Sequence, residues 1–184
     1  MTDKKVLYLV VCAAPPALQI GELIELLMTD GWTVCVIATP TAATWIDRDA
    51  LAEQTGYPVR SEWRRPGEPD VLPKADVVVV APATFNTINK WALGISDNLA
   101  LGILNDALGL LLPIFVLPYA KPALTAHPAF VRSTELLQES RVAVVRAGDS
   151  QGPDHERTSW FSLLETMRRG VSSRRTPAPA PGLS

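Results

Sequence analysis

The sequence predicts an α/β fold in which a doubly wound parallel sheet lies between two layers of helices, giving three layers in a single domain. Short apolar runs alternate along the chain with helical segments, and the runs are rich in Val, Ile and Leu. They are too uniformly apolar for a sheet with one wet face, so we expect helices to cover both faces. Strands that alternate with helices in this way are joined by right-handed crossovers.

The individual elements follow from periodicity and from turn residues. The predicted strands are residues 6–11, 33–38, 77–81, 114–117 and 142–145. The predicted helices are residues 21–28, 41–54 and 84–93, followed by a leucine-rich helix that Ser96 or Asp97 caps and that runs to Leu108. Asp30 and Gly31 supply a turn after the first helix. Pro82 is expected to end the third strand because proline donates no hydrogen bond to a sheet.

Three segments fall outside this alternation. Residues 56–74 contain several prolines and mixed charges and form a long excursion, of a kind that is often functional. Residues 148–158, with the sequence GDSQGPDHERT, are predicted to form a loop. Residues 172–184 are Pro-rich and have little to bury. We therefore expect one domain at residues 1–170 and a C-terminal tail at residues 171–184.

Composition and charge exclude several classes of protein. The 184 residues, 47% of them hydrophobic, suffice for a core that needs neither disulfides nor a structural metal. The 17 basic and 19 acidic side chains give a formal net charge of -2, which argues against an electrostatic nucleic-acid binder. The apolar residues 6–11 are too few to span a bilayer, so a cytoplasmic location without a membrane partner is expected. Cys12 and Cys35 match no metal-ligand spacing and are expected to be reduced thiols.

Polar turns follow three of the predicted strands. Residues 12–16, 39–42 and 82–87 are expected to meet at the carboxyl edge of the sheet, where α/β proteins bind ligands. Unpaired N–H groups there, with the hydroxyls of Thr39, Thr41, Thr84 and Thr87, suit a phosphorylated ligand. The alternative for any single threonine is that it only caps a helix. The chain has neither G-x-G-x-x-G after the first strand nor G-x-x-x-x-G-K-[ST], so an ordinary dinucleotide or P-loop site is disfavoured.

Two motifs at the third turn carry a resemblance to a known family. The sequence APATFNT at residues 81–87 and the sequence GISDNL at residues 94–99 resemble the P-A-[ST]-x-N-T and G-x-[AS]-D-N-L signatures of the flavin-containing cysteine decarboxylases. This family includes phosphopantothenoylcysteine decarboxylases and enzymes that oxidatively decarboxylate the C-terminal cysteine of ribosomally made peptides. The resemblance covers residues 6–145. It implies a Rossmann-like FMN protein that assembles into homotrimers or dodecamers, with each flavin at a subunit interface.

The resemblance also implies which residues contact the flavin. Thr84, Asn86 and Thr87 would lie along the flavin, and Thr39 would lie near its phosphate or ribityl chain. Residues 12–14 would occupy the first phosphate-side loop, where the family more often has Gly and Ser. The remaining implied contacts are Cys12, Ala13, Ala14, Pro82, Ala83, Phe85 and Asn98.

Three departures from the family pattern bear on catalysis. Glu68 stands about where the family has a histidine, and its carboxylate would act as a base if burial raised its pKa; the alternative is a solvated loop glutamate. Lys121 takes the Asn place of a P-x-M-N-x-x-M motif and would pair with a substrate carboxylate; the alternative is an ordinary surface lysine. Residues 142–184 contain no cysteine, whereas phosphopantothenoylcysteine decarboxylases use a later cysteine to return electrons to the enethiol.

These departures favour FMN-dependent oxidative decarboxylation of a cysteine-terminated peptide, or of a small cysteinyl substrate, to an enethiol. Oxidation across the Cβ–S bond creates a thioaldehyde β to the carboxylate, which accepts the electrons left by carbon dioxide. Two alternatives stay open: a phosphopantothenoylcysteine decarboxylase of coenzyme A biosynthesis, and an FMN-binding protein without decarboxylase activity. The only two histidines, His127 and His155, are expected to be exposed and without a catalytic role.

Overall fold

A computed structural model describes residues 5–145 and 155–173 and shows a five-stranded parallel sheet. The strands are β1 (Val6–Val11), β2 (Thr33–Ala38), β3 (Val77–Ala83), β4 (Ile114–Pro118) and β5 (Val142–Val144). Their order across the sheet is β2-β1-β3-β4-β5, so the strand order reverses between β1 and β3. Such a switch point opens a crevice at the carboxyl ends of the strands. The predicted doubly wound α/β fold is confirmed.

Helices cover both faces of this sheet. In the described part of the chain they are α1 (Ile20–Thr29), α2 (Arg48–Thr55), α3 (Phe85–Ala92), α4 (Leu99–Gly109), α5 (Pro122–Thr125), α6 (Pro128–Glu139) and α7 (His155–Ser173). One apolar cluster packs α1 and α7 against one face, and a second cluster packs α3, α4 and α6 against the other. Strand β3 lies at the centre, and all of its residues are buried. It is therefore the rigid element from which the carboxyl-end loops extend.

Two predicted boundaries in the first half of the chain are wrong. The helix expected at residues 41–54 is a short 3₁₀ turn at Ala42–Thr44 followed by α2, because the Asp47 carboxylate accepts a hydrogen bond from Ala50 N (3.1 Å) and starts a new helix there. Strand β3 does not end at Pro82. The pairing register shifts after Val80, and Ala83 then pairs with Pro118 of β4, so the strand continues two residues further than its proline indicated.

The second half of the chain holds further corrections. The cap of α4 is Asn98, whose side-chain oxygen accepts from Leu101 N (3.0 Å), and not Ser96 or Asp97. Helices α5 and α6 lie in a stretch for which the sequence predicted no element. Helix α7 begins at His155, so the last residues of the loop predicted at 148–158 are helical, and α7 includes the first three residues of the tail predicted at 171–184. Residues 146–154 and 174–184 lie outside the described residues.

Candidate active site

A cavity of about 760 Å³ lies at the carboxyl ends of the strands, where the three polar turns were expected to meet. Its size is that of a typical small-molecule or cofactor site. The loops after β1, β2, β3 and β4 all contribute to its wall. The lining residues are Ala13, Ala14, Pro15, Thr39, Pro40, Thr41, Thr84, Phe85, Asn86, Thr87, Lys90, Asp97, Asn98, Leu101, Tyr119, Ala120, Lys121 and Leu124.

The last two residues of β3 support the cavity from below. The Pro82 carbonyl accepts a hydrogen bond from Cys12 N (3.1 Å), and the Ala83 carbonyl accepts one from Tyr119 N (2.8 Å). Both Pro82 and Ala83 are buried. The loop after β1 and the loop after β4 are thus attached to the same short stretch of the central strand, which fixes their spacing across the cavity.

The N-terminus of α3 forms the polar centre of the cavity. Thr84 is the helix cap: its hydroxyl donates to the Thr87 hydroxyl (3.1 Å) and accepts from Thr87 N at the long distance of 3.5 Å. Helix geometry leaves the N–H groups of Phe85 and Asn86 without intrahelical acceptors. These groups and the two hydroxyls form a set of donors at the positive end of the α3 dipole, which favours an anionic or strongly polar ligand.

Cys12 lies directly behind this polar centre. Burial raises the pKa of its thiol, while hydrogen bonds with Thr87 and Thr84 act in the opposite direction. The thiol is 1% exposed and does not line the cavity. Cys12 therefore acts as a neutral packing and hydrogen-bonding group that supports the two threonines.

The loop after β2 supplies a second polar wall. Thr39 is buried, its backbone N–H donates to the Val11 carbonyl (2.9 Å), and its hydroxyl accepts a long hydrogen bond from Ala42 N (3.4 Å). Thr41 beside it is exposed and lines the cavity. Both threonines line the same cavity as the α3 N-terminus.

Charged side chains occupy the rim. The Lys90 ammonium pairs with the Asp97 carboxylate, whose other oxygen accepts from the Asn98 amide (3.1 Å). Lys121 is exposed at the first position before α5, and within the described ranges it has no carboxylate in an ion pair with it. Lys121 is therefore the cation of the rim that is available to an anionic ligand.

Most of the residues predicted for the site come together in this cavity. Those that line it are Ala13, Ala14, Thr39, Thr84, Phe85, Asn86, Thr87, Asn98 and Lys121. Cys12, Pro82 and Ala83 lie buried behind the lining. Glu68 does not line the cavity of its own chain: it is exposed on the 56–74 segment, where its carboxylate accepts from Arg65 N (3.0 Å). The roles of all these residues stay predictions.

The sequence analysis missed several lining residues. Asp97 was interpreted as a helix cap, and its place inside the GISDNL motif is the signal that would have moved it to the site. Tyr119 is the first residue after β4, so the rule that ligands bind at carboxyl ends would have found it. Lys90 lies near the C-terminal end of α3 and pairs with Asp97 at the cavity. No local pattern in the sequence indicates this pairing.

Within residues 5–145 and 155–173, no group of three or more His, Cys, Asp or Glu side chains is arranged to hold a metal ion. In the same residues, none of the helices combines the length and the apolar character needed to cross a bilayer.

Comparison with known proteins agrees with this architecture. A curated cysteine/cysteine sulfinic acid decarboxylase from an unknown prokaryotic organism is 35% identical over 77 residues, which is 42% of this chain and 21% of that protein. The chain spans 21%, 37% and 29% of the first three curated relatives.

Two solved structures share the fold. The FMN-dependent cysteine decarboxylase TvaF from thioviridamide biosynthesis superposes with a TM-score of 0.74 at 22% identity, covering 92% of this chain and 99% of TvaF. A variant of EpiD complexed with the substrate peptide DSYTC superposes with a TM-score of 0.62 at 22% identity, covering 76% of this chain and 79% of EpiD. The sequence profile of the Flavoprotein family matches residues 1–164. With the cavity and its motifs in place, that match shows that the chain belongs to the Flavoprotein family.

Proposed function

We propose that this protein binds FMN in the cavity above β3 and oxidatively decarboxylates the C-terminal cysteine of a peptide, giving an enethiol. One observation carries the proposal: a single cavity combines the ATFNT turn, the loops after β1 and β2, and the rim residue Lys121, which forms no ion pair with a carboxylate of residues 5–145 or 155–173. The names of the relatives, which describe cysteine decarboxylases, support the reaction class. The solved EpiD complex with DSYTC supports a peptide as the substrate.

The donors in the cavity suit FMN. A flavin mononucleotide needs cationic or N–H donors for its phosphate and mixed polar and apolar contacts for its ring system. The threonine hydroxyls of two loops and the α3 N-terminus supply the polar donors, while Ala13, Ala14, Phe85 and Leu101 supply apolar wall. None of these groups requires a glycine-rich loop.

Bound FMN would supply the two-electron acceptor that turns the cysteinyl CH₂–SH group into a thioaldehyde. The chain's own contribution is to bind, orient and partly desolvate the substrate. Lys121 would hold the substrate carboxylate at the rim, and its exposure makes this an orienting contact of modest strength. Phe85, Tyr119 and Leu124 would cover the cysteine side chain with apolar surface.

Two carboxylates, those of Asp97 and Glu68, are candidates for the catalytic base. Asp97 is the carboxylate among the lining residues, but it is paired with Lys90 and accepts a hydrogen bond from Asn98. Glu68 lies outside the cavity of its own chain, so a role as base requires that it reach the cavity of a second copy. Exposed apolar side chains at the ends of α3 and α4 support self-association, which we take to be the homotrimer that the family resemblance implies: Leu93, Ile95, Leu110 and Leu111. Light scattering of the purified protein tests the assembly.

The alternative substrate is phosphopantothenoylcysteine. A saturated product would require a group that returns electrons to the enethiol, and the chain has no cysteine after Cys35. Reaction that ends at the enethiol needs no such group, so the chain's residues favour a peptide. The second alternative, flavin binding without decarboxylation, would leave Lys121 without a role.

The test is a direct assay of product mass. The FMN-loaded protein is incubated with a set of cysteine-terminated peptides and with phosphopantothenoylcysteine. We expect a peptide product that has lost carbon dioxide and two hydrogens, and no such loss from the same peptides with a C-terminal carboxamide. Loss of carbon dioxide alone, and only from phosphopantothenoylcysteine, would establish the first alternative, and a yellow protein that is inactive on every substrate would establish the second.

Site variants connect the activity to the cavity. Thr84→Val combined with Asn86→Ala removes two polar groups of the α3 N-terminus, so we expect FMN content and turnover to fall together. Thr166→Val on α7 is the matched control, because its hydroxyl donates to the Ser162 carbonyl (2.8 Å) and Thr166 does not line the cavity. A double variant that keeps full FMN content would contradict the proposed position of the flavin.

A further inference from the structure

We propose that His127 is a positioning residue of the cavity, whose imidazole holds the Phe85 ring in the cavity wall. Phe85 lines the cavity between the cap residue Thr84 and Asn86. Its ring meets the His127 ring edge-on, with centroids 5.6 Å apart and planes at 86°. Its ring also stacks on Phe130, with centroids 6.1 Å apart and planes 9° from parallel. Two aromatic neighbours, one edge-on and one stacked, thus restrict how far the Phe85 ring can turn.

The His127 ring is itself held by a hydrogen bond. His127 caps α6, and its Nδ1 accepts from Ala129 N (3.1 Å). Because Nδ1 accepts this hydrogen bond, the bond fixes the orientation of the imidazole ring. The first turn of α6 therefore orients the His127 ring that contacts Phe85.

His127 also connects two parts of the wall through its backbone. Its N–H donates to the Leu124 carbonyl (3.1 Å) at the end of α5, and Leu124 lines the cavity together with Lys121. Its carbonyl accepts from Phe130 N (2.9 Å) at the start of α6. Farther along the two helices, the buried Ser133 hydroxyl donates to the Asn89 side-chain oxygen (2.7 Å) and ties α6 to α3.

These contacts make the α6 N-terminus a support for the active-site wall. Asn89 lies one helical turn after Phe85, so the hydrogen bond to Ser133 and the ring contacts fall on the same side of α3. Another side chain at position 127 can accept the hydrogen bond from Ala129 N in place of the imidazole, but the edge-on contact with the Phe85 ring is then lost. The inference rests on the proposed function in one respect, since it takes FMN as the ligand that the wall contacts.

Two substitutions separate the ring from the cap. His127→Asn keeps an acceptor for Ala129 N but removes the ring, because Asn is among the best N-cap residues. His127→Phe keeps an aromatic ring beside Phe85 but cannot accept. Asp47→Ala is the matched control: it removes the cap of α2, and no residue of α2 lines the cavity.

We expect His127→Asn to melt within about 2 °C of the wild type and to bind FMN roughly twofold to tenfold more weakly, the range of an aromatic pair. His127→Phe and Asp47→Ala are expected to melt about 2–4 °C lower, from loss of a cap, with FMN affinity close to wild type. Wild-type FMN affinity in His127→Asn would overturn the proposal. So would equal weakening in Asp47→Ala, which would mean that general destabilisation explains the effect.

A second readout does not depend on FMN. In the ligand-free protein, the backbone amide resonances of residues 85–87 are expected to shift in His127→Asn and to stay in place in Asp47→Ala. Unchanged resonances would overturn the positioning role whatever the protein binds. Shifted resonances in a protein that takes up no FMN would uphold the positioning role and refute the proposed function instead.

Discussion

Replacing Lys121 with Met tests whether the rim of the cavity binds the substrate carboxylate. The substitution removes the ammonium and keeps an unbranched apolar side chain. Because Lys121 is exposed, water screens the pair strongly: two unit charges 4 Å apart in bulk water attract by about 1 kcal/mol. Measured exposed ion pairs fall in the same range. A loss of about 1 kcal/mol corresponds to a rise in the KM for the peptide of about fivefold, with kcat and FMN content nearly unchanged.

The assay measures KM at low salt and at 1 M salt for Lys121→Met and for the wild type. At 1 M salt the Debye length is about 3 Å, so the difference between the two proteins is expected to fall below about twofold. Lys5→Met is the matched control, since Lys5 is exposed at the amino end of β1, opposite the cavity. An equal rise in KM at both salt concentrations would refute an electrostatic interaction between Lys121 and the substrate carboxylate. Loss of FMN in Lys121→Met would assign the lysine to the cofactor.

Two further predictions concern stability. Burial raises the pKa of the fully buried Cys35 thiol from its ordinary 9.0 to about 11, so the folded protein keeps this proton while the unfolded chain loses it. The free energy of unfolding is therefore expected to fall between pH 9 and 11 by up to about 3 kcal/mol, and urea titrations of Cys35→Ala under reducing conditions should show a smaller fall; equal falls would contradict the assignment. Asn98→Ala removes the α4 cap and is expected to cost about 1 kcal/mol, lowering Tm by about 2–4 °C, whereas Asn98→Ser restores an acceptor for Leu101 N and should melt close to wild type. Equal melting of all three Asn98 proteins would show that this cap is energetically unimportant.

The sheet and the main part of the cavity were predictable because both follow from local signals. Each β-strand is a continuous apolar run, and buried parallel strands need no partner to be recognised. The turns at Thr39 and Thr84 follow those strands directly, so knowing the fold class is enough to bring them to one edge.

The boundaries that were wrong depend on contacts that no local pattern contains. The extension of β3 past Pro82 depends on a register shift against β4, more than thirty residues away. The interrupted helix at residues 41–54 depends on Asp47, one of several polar residues there that can cap a helix. Both outcomes required the tertiary neighbours to select among local options.

The support that helix α6 and its cap residue give to Phe85 was missed for a related reason. Helix α6 buries little apolar surface, with Phe130 and Leu137 as its buried hydrophobic residues, so its periodicity is weak. His127 was dismissed as an exposed histidine, and it is exposed. Its importance comes from a cap bond and a ring contact with Phe85, which is more than forty residues earlier in the chain.

The loops after β1 and β4 are attached to Pro82 and Ala83, so the residues that hold the cavity open differ from the residues proposed to contact the substrate. These anchoring residues belong to the buried centre of the fold, so substitutions there would threaten folding as a whole. Residues 119–124, which follow β4, carry only partly buried or exposed side chains, and α5 has no buried residue. Replacements along that segment cost little stability. Under the proposed function, in which residues 119–124 contact the substrate, substrate choice can drift during evolution one exposed side chain at a time, without first requiring a compensating gain in stability.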